Sequence, residues 1–211
     1  MCIGFSRDGF HWHRPDRRSF FPVSDKAGAW NWGNVQSVAG GCLVVRDKLY
    51  FYMSGRKGDA PHFHDAGCST GVAFLRRDGF ASMDAGDAVG TLTTRPLLFP
   101  GKHLFVNADT TGGQLRAEVL DRDGKVIAPF TKDNCQPLKA DSTLAEITWK
   151  GTANLSALAG QPVRLRFHLN SGALYAFWVS PDENGASRGY VAAGGPAFTG
   201  PMDTVGRVLK R

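Results

Sequence analysis

The spacing of apolar and polar positions divides the chain into two parts of different texture. From Asn34 onward the apolar runs are short and close together, and Asn34–Ala39, Cys42–Arg46, Lys48–Gly55 and Gly71–Arg76 read as four successive strands. Arg46-Asp47-Lys48 lies between Leu43-Val44-Val45 and Leu49-Tyr50-Phe51-Tyr52 and marks a hairpin. Four short strands in sequence order predict an antiparallel meander, the form of one blade of a β-propeller. The phrase that ends this stretch occurs twice. Ile3–Phe10 echoes Val72–Phe80, and the triplets Asp8-Gly9-Phe10 and Asp78-Gly79-Phe80 align, which marks a repeat unit in two copies.

Beyond Ala85-Gly86-Asp87 the strands lengthen and alternate cleanly. They are Leu92–Phe99, His103–Ala108, Gln114–Asp121, Lys125–Phe130, Leu144–Trp149, Val163–Asn170 and Leu174–Ser180. In Val163–Leu169 every second residue is apolar, so Arg164, Arg166 and His168 face outward. Asp123-Gly124 and Ser171-Gly172 are hairpin turns, and Asn154–Gly160 is a helical turn with Asn154 as N-cap. Seven alternating strands with short turns predict a β-sandwich. The expected fold is therefore all-β: a partial β-propeller, about one blade plus a strand, followed by an antiparallel β-sandwich. The expected divisions are a terminal blade remnant over 1–86, the sandwich over 87–195 and a loose C-terminal tail over 196–211.

Composition agrees with an all-β chain: 26 glycines and 11 prolines among 211 residues leave little room for helix. The net charge of +6 is spread evenly, and the densest basic stretch, Arg14–Arg18, is broken by Pro15 and Asp16. A nucleic-acid groove is not expected from that distribution. No apolar run has the length of a membrane span, and Met1-Cys2-Ile3 is not followed by a signal-peptide core, so localisation stays unassigned. Cys2, Cys42, Cys68 and Cys135 form no Cys-x-x-Cys pair. Zinc and dithiol chemistry are not expected, and free thiols are the expected state, although Cys42 and Cys68 share the blade.

The innermost strand of a propeller blade lines the central funnel. Here it begins Asn34-Val35-Gln36, and Asn34 and Gln36 alternate to one side, where their amides suit sugar hydroxyls. Trp32 is the stacking platform beside them and Arg56 a further donor. In the loop over Arg56–Ser69, His62 and His64 lie two residues apart and are assigned to substrate contact; no metal and no cofactor is expected. His11 and His13 flank Trp12, which is expected to pack beside the Asp8-Gly9 turn. Trp149, Tyr175, Phe177 and Trp178 cannot share one face, so most of them belong to the core. Asp109, Asp121 and Asp123 invite a calcium reading, which the Asp123-Gly124 turn makes unnecessary.

The blade phrases Gly41–Val45, Leu49–Arg56 and Gly71–Phe80 resemble the glycoside hydrolases of families 32, 43 and 68 and their relatives. The sandwich phrases Leu92-Thr93-Thr94-Arg95-Pro96, Leu104-Phe105-Val106-Asn107 and Ala176–Ser180 resemble those of bacterial proteins that carry the same architecture. In family 32 a five-bladed propeller is followed by a C-terminal sandwich. The resemblance implies hydrolysis of glycosidic bonds in an intact protein and a carbohydrate, oligo- or polysaccharide, as partner. Family 32 carries its acids in Asn-Asp-Pro, Arg-Asp-Pro and Glu-Cys motifs, and none of the three occurs here. Glu118, Glu146 and Glu183 all lie in the sandwich region, so no carboxylate pair of glycosidase type is expected. The expectation is a C-terminal fragment that supplies pocket wall and sandwich, its missing N-terminal blades encoded upstream or replaced by a homo-oligomer. The alternative is a non-catalytic carbohydrate-binding or oligomerisation sandwich.

Overall fold

The computed structural model describes residues 1–38, 41–58, 67–191 and 193–207. The described chain is all-β, with several antiparallel sheets, none of them closed. Its strands are β1 (Phe5–Ser6), β2 (Trp12–His13), β3 (Asn34–Val38), β4 (Leu43–Val45), β5 (Lys48–Arg56), β6 (Cys68–Arg76), β7 (Met83–Ala85), β8 (Gly90–Thr93), β9 (His103–Asp109), β10 (Gln114–Leu120), β11 (Asp141–Ile147), β12 (Arg164–Asn170) and β13 (Gly172–Ser180). The chain forms two compact units: Met1–Leu43 with Tyr50–Phe74, and Val44–Leu49 with Leu75–Arg211.

In the first unit β1 and β2 form a hairpin, and Trp12 donates its indole N–H to Gly9 O at 3.1 Å, beside the turn as expected. β5 is the hub of the larger sheet and pairs with β3, β4 and β6. A simple meander would set β3 against β4. Instead Asn34 faces Arg56 and Gln36 faces Ser54 on β5. The lengths explain this: β5 has nine residues and β4 three, so β4 cannot satisfy the whole edge. One face of β5 is apolar, and Phe51 there meets the rings of Phe20 and Phe21 at 6.2 and 5.3 Å.

Trp30 fills a slot that only glycine can leave open. A Cβ on Gly55 would lie 2.4 Å from its indole and one on Gly71 only 2.2 Å. β5 and β6 therefore each present bare backbone to the same ring. An aromatic pair such as Trp30 and Trp32 in a loop is costly where it meets water alone, and for Trp30 this slot supplies the packing.

In the second unit two antiparallel sheets, β10-β12-β8 and β11-β9-β13-β7, share one apolar core. Leu115, Ala117 and Val119 of β10 and Leu165, Phe167 and Leu169 of β12 face Leu104, Val106 and Ala108 of β9 within it. The strand expected at Lys125–Phe130 is reduced to a bridge, Leu120↔Val126, after the Asp123-Gly124 turn. Pro129 has no N–H to extend the ladder. Pro96 likewise ends β8 at Thr93, short of the expected Phe99. At Ser156–Leu158 the helical turn is a 3₁₀ turn whose N-cap is Leu155, one residue after the expected Asn154; Asn154 Oδ1 still accepts the Ser156 N–H at 2.9 Å, and Gly160 sits at φ +73°.

The segment after Pro196, expected to be a loose tail, is held by hydrogen bonds through Arg207. Val191 N donates to Pro201 O, Asp203 N to Gly189 O and Arg207 N to Asn184 O. Farther back, Val44 N donates to Gly194 O, and a Cβ on Gly195 would strike Val44 O at 1.8 Å. Close backbone approach and these bonds set its course, which glycine-rich sequence alone does not reveal.

Candidate functional site

Of the residues singled out in the sequence, Asn34, Gln36 and Arg56 are brought together. The β3–β5 register sets Asn34 directly opposite Arg56, with Gln36 and Ser54 as the next pair on that face. Ser54 Oγ donates to Gln36 O at 3.2 Å. Asn34 Oδ1 is buried and has no hydrogen-bond partner, an arrangement that leaves a good acceptor unused. Gly33 precedes it, donating its N–H to Arg56 O at 2.7 Å, and its Cα packs so near Gly58 that a side chain there would clash at 2.5 Å. Two glycines thus pin the strand end that carries Asn34. Trp32 adjoins this end and is 36% exposed. His62 and His64 lie outside the described residues.

Along the same face of β5 and β6 the polar group gives way to aromatic and aliphatic side chains. Tyr50 meets Phe74 edge to face at 4.6 Å, while Tyr52, Val72 and Phe74 are 44%, 42% and 55% exposed. The other aromatic candidates are dispersed. Trp149 is core, donating to Ala117 O at 2.9 Å and meeting Phe130 edge to face. Phe177 lies against Phe167 and Trp178 stacks on Phe105, whereas Tyr175 carries the Arg76 guanidinium. The His11 ring pairs with Asp8, which also accepts the Phe10 and His11 N–H groups; these bonds hold its carboxyl far below the usual range. All four cysteines are free, and burial raises the Cys135 thiol.

Sequence reasoning missed a cleft of about 280 Å³ within the second unit. Its charged lining is Arg46, Arg77, Asp78 and Asp203, Thr143 and Ser187 add hydroxyls, and Trp178 and Phe198 are among its apolar walls. Arg77 reaches Asp203 at 2.8 Å and Asp78 at 3.6 Å, and lies over the Phe198 ring. Asp203 is 3% exposed and fully engaged. Oδ2 accepts from Arg77, the Ser187 N–H and the Ser187 hydroxyl, and Oδ1 from the Val205 N–H. Its carboxylate therefore acts as the organiser of the C-terminal segment. Asp78, at φ +52°, differs: its side chain is 61% exposed, and partial desolvation against the cleft wall raises its carboxyl only in part, with Arg77 opposing the rise and the Asp203 charge adding to it. The partners lie 126 residues apart in sequence, and no local motif signals the pairing.

The sign of the Asp78 shift gives a pH prediction. A carboxyl raised in the folded state helps stability fully below its unfolded value, about 3.9, and that help is lost as pH rises through the folded value. Asp78→Asn, which also tolerates positive φ, is therefore expected to raise the melting temperature at pH 7 slightly, the exposed side chain being screened by solvent, and to leave it unchanged near pH 3. A variant melting lower than the parent at pH 7 would contradict this.

The cleft offers one titrating acid and one committed carboxylate, whereas glycoside hydrolysis of the usual type needs two carboxyl groups free to act on one bond. Among the described residues no group of three or more His, Cys, Asp or Glu is placed to hold a metal ion. No family model, curated protein or solved structure matches this chain.

Proposed function

We propose that this chain forms the closing blade and the β-sandwich of a glycoside-hydrolase-type β-propeller protein, and that it contributes carbohydrate contacts without the catalytic pair. The observation that carries this reading is the unpartnered, buried Asn34 Oδ1 opposite Arg56. One acceptor and one multidentate donor on adjacent strands match the donors and acceptors of neighbouring sugar hydroxyls. The exposed Tyr52, Val72 and Phe74 support the blade assignment, because an apolar sheet face of that kind is stable against a second sheet. Another blade or another copy of the chain would supply it. The shared core of the two sheets in the second unit is what an aligned sandwich requires.

The test exploits an asymmetry. A buried unpaired acceptor costs roughly 1–3 kcal/mol, so Asn34→Ala should leave stability unchanged or slightly higher. The same substitution should weaken binding to a neutral polysaccharide about tenfold, the loss of one well-placed contact. Affinity electrophoresis of the full chain in gels containing glucan, fructan, arabinan or xylan, with urea melts in parallel, measures both. Unchanged retention together with lost stability would assign Asn34 to scaffold alone.

A further inference from the structure

The outer face of β10-β12-β8 carries a strip of cations that the reading above does not use. The core takes Leu115, Ala117 and Val119 of β10 and Leu165, Phe167 and Leu169 of β12. Alternation therefore turns Arg116 and Glu118, Arg164, Arg166 and His168 to the other side. The register sets them in rows: Leu120 with Arg164, Glu118 with Arg166 and Thr93, Arg116 with His168 and Thr91. One carboxylate thus stands among three arginines and a histidine.

That carboxylate is an orienting anchor. Glu118 is buried, and its Oε1 lies 3.1 Å from both Arg166 Nη1 and His168 Nε2. Burial pushes its carboxyl up, but the bonds from His168, Arg166 and the Lys132 N–H outweigh this and hold it low, so it is charged at neutral pH. Arg166 Nε is fixed by Thr93 Oγ1 at 3.1 Å, and Arg116 Nη1 by Cys135 O at 2.6 Å. These bonds aim the guanidinium groups and leave donors over. Arg166 keeps Nη2, and Arg164 Nε is buried with no partner.

We propose that this face binds the acid groups of an anionic polysaccharide, one bearing carboxylates or sulfates. Guanidinium forks match planar and tetrahedral oxyanions, and Arg164 and Arg166, two residues apart on one strand, stand roughly 7 Å from each other. Thr91 and Thr93 border the strip with hydroxyls suited to sugar rings. Among the described residues this face presents no outward Phe, Tyr or Trp, and its one imidazole, His168, is tied to Glu118, so it lacks the stacking platform that single-stranded nucleic acid uses. An uncharged glycan would find equally little to stack on, so the charge of the ligand must supply the affinity. The inference shares with the proposed function only the class of ligand and uses different residues.

The test is retention of the full chain in gels containing polygalacturonate, dextran sulfate or uncharged dextran, with single-stranded DNA as competitor. The parent protein is expected to be retarded by the two anionic polymers and not by dextran, and retardation should fade between 50 and about 500 mM salt. Arg164→Gln with Arg166→Gln should weaken retention at least about tenfold. Arg164→Gln alone removes no internal hydrogen bond, so it reports on binding even where the double variant fails to fold. Equal retention of parent and Arg164→Gln would overturn the proposal, as would stronger binding to DNA than to either anionic glycan. The Asn34→Ala variant keeps the two readings apart: it should still be retarded by polygalacturonate and dextran sulfate, while losing the retention expected in the separate fructan, arabinan or xylan gels.

Discussion

Asp203→Ala is expected to destabilise the protein by about 3–5 kcal/mol, the cost of leaving a buried charge without its partner. The Arg77 and Asp203 side chains are 19% and 4% exposed, so little water can replace the lost contact. The same substitution frees the Ser187 N–H and hydroxyl and the Val205 N–H, which together hold the C-terminal segment. Arg77→Ala should cost a similar amount, and the double variant clearly less than the sum, because the two residues share one interaction. Urea titration of the four proteins measures the cycle. A loss below about 1 kcal/mol for Asp203→Ala would mean that the segment is held by its backbone bonds alone.

Arg76 and Arg77 together explain why the phrase Leu75-Arg76-Arg77-Asp78 belongs with the second unit. Asn107, 1% exposed, accepts from Arg76 Nε through its Oδ1 and donates through Nδ2 to Arg77 O, each at 2.5 Å. Arg76 also reaches Ala108 O at 3.1 Å and pairs with Asp141. In the N-terminal copy of the repeat, serine stands where Arg76 stands. The turn chemistry differs as well: Gly9 holds the positive φ in the first copy and Asp78 in the second.

Gly71→Val should be the second large effect, and it reports on the first unit. The added carbon atoms would meet the Trp30 ring and the Gly71 Cβ alone would lie within 2.2 Å of it, so the indole must leave its slot. Overpacking of this kind costs about 1–3 kcal/mol. The displaced ring should also red-shift tryptophan fluorescence. In a Trp30→Ala background the same valine should cost far less, because the obstacle is gone. Equal costs in both backgrounds would show that Gly71 is required for a reason other than the indole.

Much of the strand pattern was legible because it is local. β9, β10, β12 and β13 fall within a few residues of their predicted spans, since period-two alternation needs no knowledge of partners. Proline marks two of the departures: Pro96 and Pro129 break patterns that look continuous by hydropathy alone. The partner of β3 was not legible, because sequence order favours β4 while edge length favours β5. At the candidate site the pairing of Asn34 with Gln36 followed from alternation, but its register with Arg56 emerged only from the sheet. The slot for Trp30 depends on two glycines 16 residues apart on paired strands, and the Arg77–Asp203 pair spans most of the chain. Neither leaves a trace at short range.

The most direct test of the carbohydrate reading is to map sugar contacts on the isotope-labelled full chain by amide chemical-shift changes. Soluble oligosaccharides cut from the neutral polymers would be added stepwise while reducing ends are assayed in the same tube. Shifts concentrated at Trp32–Gln36 and Ser54–Arg56, with no growth in reducing ends, are the predicted result. An absence of shifts at those positions, or steady cleavage of the added chains, would contradict it.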